Sequence, residues 1–168
     1  KDRYGRLPET AFGAMIYDLT GNEVEFFDTL LPELPGKVTM DGKEYTWNTW
    51  GEVLKPLKGT EIWATYTDEF YEGKPAVTTR RSGKGTVTYI GVDSNDGTLE
   101  KDILKKLYTR FEIPVMDLPY GITLEYRNGL GIVMNYSDKP FEFTLPEGCK
   151  ILIGDPKIPT AGVLIFKI

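Results

Sequence analysis

Residues 72–93 read EGKPAVTTRRSGKGTVTYIGVD, with two β-branched runs on either side of Ser82-Gly83-Lys84-Gly85. The reading of that bend decides the fold. A phosphate loop needs a glycine five positions before the Gly-Lys pair and a Ser or Thr directly after it. Those positions hold Thr78 and Gly85, and a strand-forming run follows where a helix N-terminus would be required. The stretch is therefore a β-hairpin, Ala76–Thr79 paired with Thr86–Ile90. Lys74, Arg80, Arg81 and Lys84 lie in a segment free of carboxylates from Gly73 to Val92. Cations on a hairpin discourage stray strand pairing.

The elements outward of this hairpin are also short. Thr60–Thr67 alternates as a strand, and Lys37–Trp47 is a hairpin turning on Asp41-Gly42. Val24–Leu31 is a further strand, and Pro8–Leu19 has helical spacing that stops at Gly21. The longest helix is Thr98–Phe111, with Leu99, Ile103, Leu104, Leu107, Tyr108 and Phe111 on one stripe and an expected Asp102–Lys106 pair at i,i+4. Pro114 and Pro119 follow it, which divides the chain into 1–116 and 117–168. Beyond Tyr120 a strong hairpin signal at Asn128-Gly129 and the runs FEFTL, KILIG and VLIFKI predict a small antiparallel sandwich.

Composition narrows the chemistry. The 168 residues carry a net charge of −5 and no histidine, which removes Ser-His-Asp, Cys-His and histidine-ligated zinc chemistry from this chain. The acidic balance disfavours nucleic acid, and no apolar run is long enough to span a membrane. The opening KDRYGRLPE lacks the apolar centre of a secretory signal, so the expected compartment is the cytoplasm. A retaining glycosidase needs two carboxyl groups about 5–5.5 Å apart, and the sequence nominates no such pair. Glu23, Glu25 and Asp28 read as strand-edge charges, and Asp68, Glu69 and Glu72 as a solvated loop. Cys149, the single cysteine, reads as a half-buried filler in a turn. No catalytic, cofactor-binding or metal-ligating residue is expected.

Aromatic residues are the remaining signal: Tyr45, Trp47, Trp50, Trp63, Tyr66, Phe70 and Tyr71 crowd one segment. Such density suits a core or a contact surface. Trp63 and Tyr66 read as core; Trp47, Trp50 and Tyr71 are the interface candidates. A carbohydrate-binding module using the Trp47–Tyr71 aromatics is the alternative.

In order along the chain, Trp50, Glu52 and Leu54, then Gly59 and Glu61, Ala64 and Tyr66, Gly73–Thr78 and Gly83–Gly85 resemble the trimerisation region of glycoside hydrolase family 42 β-galactosidases. PYGITLEYRNGLGIVMNYS, from Pro119 to Ser137, resembles the start of that family's small C-terminal β-domain, with Ile122 in place of the usual valine. The resemblance implies an α/β layer, part of a class I glutamine amidotransferase-like or flavodoxin-like domain, followed by a small antiparallel β-sandwich. It implies a homotrimer as the self-partner, and a separate catalytic barrel whose glutamates perform retaining hydrolysis. A (β/α)₈ barrel takes about 250 residues, so the expectation is a non-catalytic piece of a longer enzyme.

Overall fold

Every strand pairing among the described residues is antiparallel, and this sets the architecture. The structure, a computed structural model, describes residues 4–6 and 16–168. The chain divides into two compact units, Lys1–Ile113 and Pro114–Ile168. The first contains α1 (Tyr17–Thr20), β1 (Asn22–Asp28), β2 (Gly36–Met40), β3 (Lys43–Pro56), β4 (Thr60–Tyr66), β5 (Pro75–Ser82), β6 (Gly85–Ile90), β7 (Val92–Ser94) and α2 (Thr98–Arg110). The second contains β8 (Ile122–Arg127), β9 (Leu130–Asn135), β10 (Phe141–Glu142), β11 (Lys150–Ile153), β12 (Lys157–Ile158) and β13 (Val163–Lys167).

The hairpins form where the turn chemistry asks for them. Asp41 and Gly42 have φ of 52° and 80°, and Asn128 and Gly129 have 51° and 74°. Both pairs occupy the left-handed positions of a two-residue turn whose twist matches its strands. Ser82 pairs with Gly85 across the bend at Gly83-Lys84, so that stretch is a tight hairpin as expected.

In the first unit the sheet runs β1-β3-β2-β4-β5-β6, and β7 returns to pair with β3. Gly91, between β6 and β7, accepts the Glu52 amide and donates its own to Ala76. Strand pairing therefore runs in a ring from β3 through β2, β4, β5 and β6–β7 back to β3. Inside lie Val38, Tyr45, Trp47, Val53, Trp63, Tyr66, Val77 and Val92, joined by Leu99 and Ile103 of α2.

This revises the α/β expectation. A parallel layer needs crossovers of a dozen residues or more. Here β2–β3 and β5–β6 turn in two residues, and no parallel pair occurs among the described residues. What holds is the coarser reading, a β-rich body with few helices ahead of an antiparallel β-domain. The helix expected at Pro8–Leu19 falls mostly outside the described residues; α1 ends at Gly21, whose φ is 74° and whose amide bonds Tyr17.

α2 also departs from expectation on its polar side. Asp102 does not pair with Lys106 one turn along. It accepts Lys43 Nζ at 2.6 Å and the Tyr45 hydroxyl at 2.9 Å, while Lys106 reaches Asp41 at 2.7 Å. These bonds fasten α2 to the β2–β3 hairpin. The buried stripe is narrower than the six residues expected: Leu99 and Ile103 are buried, whereas Leu104, Tyr108 and Phe111 remain exposed.

In the second unit β11-β13-β9-β8 form a sheet and β10-β12 a two-stranded companion. Ile122, Val133, Phe143, Ile158, Leu164 and Phe166 make the core, with Cys149 packed half-buried against it. Asn135 closes β9 from a fully buried position. Its amide nitrogen donates to the carbonyls of Lys139, Ile158 and Pro159, and its oxygen accepts from the Ser137 amide and hydroxyl.

Candidate interaction surface

β1 is an edge strand carrying two adjacent phenylalanines, and consecutive strand residues point to opposite faces. Phe26 turns inward against the core and Phe27 turns away. Trp50, just beyond the register pair Asp28–Gly51, lies flat on Phe27 with ring centroids 4.5 Å apart and planes 14° from parallel. On the opposite side Phe70 stacks on Phe26 at 5.5 Å, again 14° from parallel. Both outer rings face solvent: Trp50 is 40% and Phe70 83% exposed. Leu31 and Leu34, in the loop after β1, are exposed as well. Single exposed apolar residues are ordinary; here two exposed rings, one on each side of β1, each rest flat on a phenylalanine of that strand.

The three interface candidates separate clearly. Trp50 lies on this edge. Trp47 is completely buried, packed edge-on against Tyr66 at 5.6 Å. A Cβ on Gly36 or Gly51 would come within 2.7 Å of its ring, so two glycines make room for the indole. Tyr71 is also buried and donates its hydroxyl to Asp28 at 3.0 Å. Burial and the Asp28 carboxylate push its phenol well above the ordinary range. Tyr45, Trp63 and Tyr66 join them in the core, which leaves Trp50 and Phe70 as the exposed rings of the Trp47–Tyr71 group and gives no support to a sugar-stacking platform. Phe26-Phe27 was missed in the sequence, although an adjacent aromatic pair in an edge strand was the available signal.

The charged residues are mostly scaffold. Glu23 pairs with Lys55, Glu25 with Lys74, and Asp68 accepts the Lys37 amide. Arg80 donates to the Asp18 carbonyl. Glu52 accepts the Tyr89 hydroxyl at 2.5 Å, and burial together with that carboxylate raises the phenol. Among the described residues no group of three or more Asp, Glu, Cys or His could hold a metal ion, and no helix is long and apolar enough to cross a membrane.

The family described as the β-galactosidase trimerisation domain matches residues 1–118, and the β-galactosidase C-terminal domain matches residues 121–167. β-Galactosidase BgaH of Haloferax lucentense is 27% identical over 158 residues, 94% of this chain and 24% of that enzyme. β-Galactosidase LacA of Lactobacillus acidophilus is 42% identical over 74 residues, 44% of this chain and 11% of that enzyme. Among solved structures, the β-galactosidase of the Antarctic haloarchaeon Halorubrum lacusprofundi superposes with a TM-score of 0.81 at 24% identity, covering 100% of this chain and 26% of that one. The cold-adapted β-galactosidase of Rahnella sp. R3 gives 0.76 at 26% identity, covering 91% and 25%. This chain thus spans about a quarter of the relatives it matches along most of its length. It belongs to the β-galactosidase trimerisation-domain family, here followed by the family's C-terminal domain.

Proposed function

We propose that these 168 residues are a non-catalytic region of a family 42 β-galactosidase that joins subunits into a homotrimer and braces a catalytic barrel lying outside them. Hydrolysis of terminal β-galactosides belongs to that barrel. The match to the trimerisation domain over residues 1–118 carries the reading, and the stacked aromatic edge of β1 supplies a surface suited to the task. Residues 1–116 form the assembly domain, the antiparallel portion of an amidotransferase-like body, and residues 117–168 the supporting β-domain.

Sedimentation of the chain across a concentration series tests the assembly role. Self-association is expected, and Trp50→Ala with Phe27→Ala should weaken it by about tenfold or more, as removal of aromatic anchors does. A strictly monomeric chain, or association untouched by the double variant, would contradict the reading. β-Galactosidase turnover by these residues alone would contradict it too.

A further inference from the structure

The hairpin that opened the sequence reading meets the end of α2. Arg81, Lys84, Gly85 and Thr86 on one side, with Arg110 and Phe111 on the other, line an open cleft of about 240 Å³. Three cations and no carboxylate form its lining, although the chain as a whole carries −5. The register Arg81–Thr86 sets a guanidinium beside a hydroxyl across β5 and β6, and Lys84 sits in the turn above them.

Arg110 is already oriented. It donates to Glu61 at 3.0 Å, and its guanidinium lies 6.0 Å from the centre of the Trp63 ring. Arg81 and Lys84 have no carboxylate partner among the described residues. This contrasts with Lys37, Lys43, Lys55, Lys74 and Lys106, each of which does. Cations that merely guard a sheet edge have no need of a third from a helix 26 residues further along the chain, nor of a shared cavity. Glu61 neutralises part of Arg110 but leaves two charges directed at the cleft.

We propose that this cleft binds an oxyanion, either a carboxylate or a phosphate. Guanidinium forks and a lysine match such a group, Thr86 can add a neutral donor, and Phe111 provides an apolar wall. Small-molecule clefts usually run from about 300 to 1,000 Å³, so the site takes an anionic group rather than a large ligand whole. Its source is either a free small anion or a carboxylate presented by a second copy of the chain. The inference does not depend on the aromatic edge.

The test titrates the full 168-residue chain with inorganic phosphate and with citrate at fixed ionic strength, which removes general screening. Backbone amide NMR is the readout. Saturable shifts are expected at residues 81–86 and 110–111, and R81Q/K84Q should weaken them by about tenfold. Gly85→Asp is the second variant. A Cβ there would meet nothing closer than the Ser82 carbonyl at 3.9 Å, so the new carboxylate enters the cleft without removing a cation and should compete with the anion. Sedimentation then separates the sources. If phosphate and R81Q/K84Q both weaken self-association, the natural occupant is a neighbour's carboxylate; if binding saturates with association unchanged, it is a free anion. Shifts that follow ionic strength alone, or that survive both variants, overturn the proposal.

Discussion

Gly51 is the residue whose replacement tests the packing of the first unit most directly. A methyl group there would lie 2.7 Å from two carbons of the buried Trp47 ring and 2.9 Å from the Tyr66 hydroxyl. That hydroxyl donates to the Glu52 carbonyl at 3.0 Å. Gly51→Ala must therefore move the indole, the phenol, or both. Trp47 has little room, since Gly36 presses its other side. Overpacking a filled core costs about 1–3 kcal/mol. Losing the Tyr66 hydrogen bond adds about 1 kcal/mol. The expected destabilisation is about 2–4 kcal/mol.

Urea unfolding followed by tryptophan fluorescence reads this unit selectively, because Trp47, Trp50 and Trp63 all lie in it and are the chain's three tryptophans. Tyr66→Phe removes the atom that the new methyl group strikes. The double variant should then be more stable than the sum of the single effects, with a coupling of about 0.5 kcal/mol or more. A Gly51→Ala loss below about 0.5 kcal/mol, typical of an unremarkable surface site, would refute the argument. So would strict additivity with Tyr66→Phe.

Two further outcomes follow from hydrogen-bonded polar groups. The hydrogen bond from Lys43 comes first, and with the Tyr45 hydroxyl it overcomes partial burial and holds the Asp102 carboxyl below its ordinary value. Its stabilising share is therefore complete above about pH 4 and disappears as pH falls through the lowered value. An acid titration of fluorescence should show Asp102→Asn less stable than the parent near neutrality, with the gap closing toward low pH; a constant gap would sink the linkage. In the second unit, Asn135→Ala strands three carbonyls that the side chain now serves. A loss of about 2–4 kcal/mol is expected, read as faster hydrogen exchange of the β9 and β13 amides; unchanged exchange would refute it.

Local chemistry was legible in the sequence wherever a turn or a β-branched run announces itself. Asp41-Gly42, Asn128-Gly129 and the Ser82–Gly85 bend each demand particular backbone angles, and each forms the hairpin it encodes. α2 was legible in its extent, which its own periodicity sets, though only Leu99 and Ile103 of its expected stripe are buried. The partners of its charges were not. Asp102 and Lys106 are one helical turn apart, an arrangement worth only about 0.2–0.5 kcal/mol on an isolated helix. The folded sheet brings Lys43, Tyr45 and Asp41 within reach, and those partners win.

Trp63 and Tyr66 were legible as core, whereas Trp47 and Tyr71 were not, and strand alternation is an unsafe guide where strands bulge. β4 slips register on both sides of Ala64, so Trp63 and Ala64, neighbours that an even pleat would send to opposite faces, are both buried. β1 slips between Val24 and Phe26. Period-two reasoning cannot place a side chain beyond such a slip, because one extra residue exchanges inner and outer faces. Burial of Trp47 needs still more distant information: glycines at 36 and 51, one on β2 and one further along β3, must both face its ring. The rings left outside, Trp50 and Phe70, are held in place by Phe27 and Phe26 of a single edge strand. This exposed aromatic edge is therefore a product of pairing between segments, and no window of sequence around Trp50 contains it.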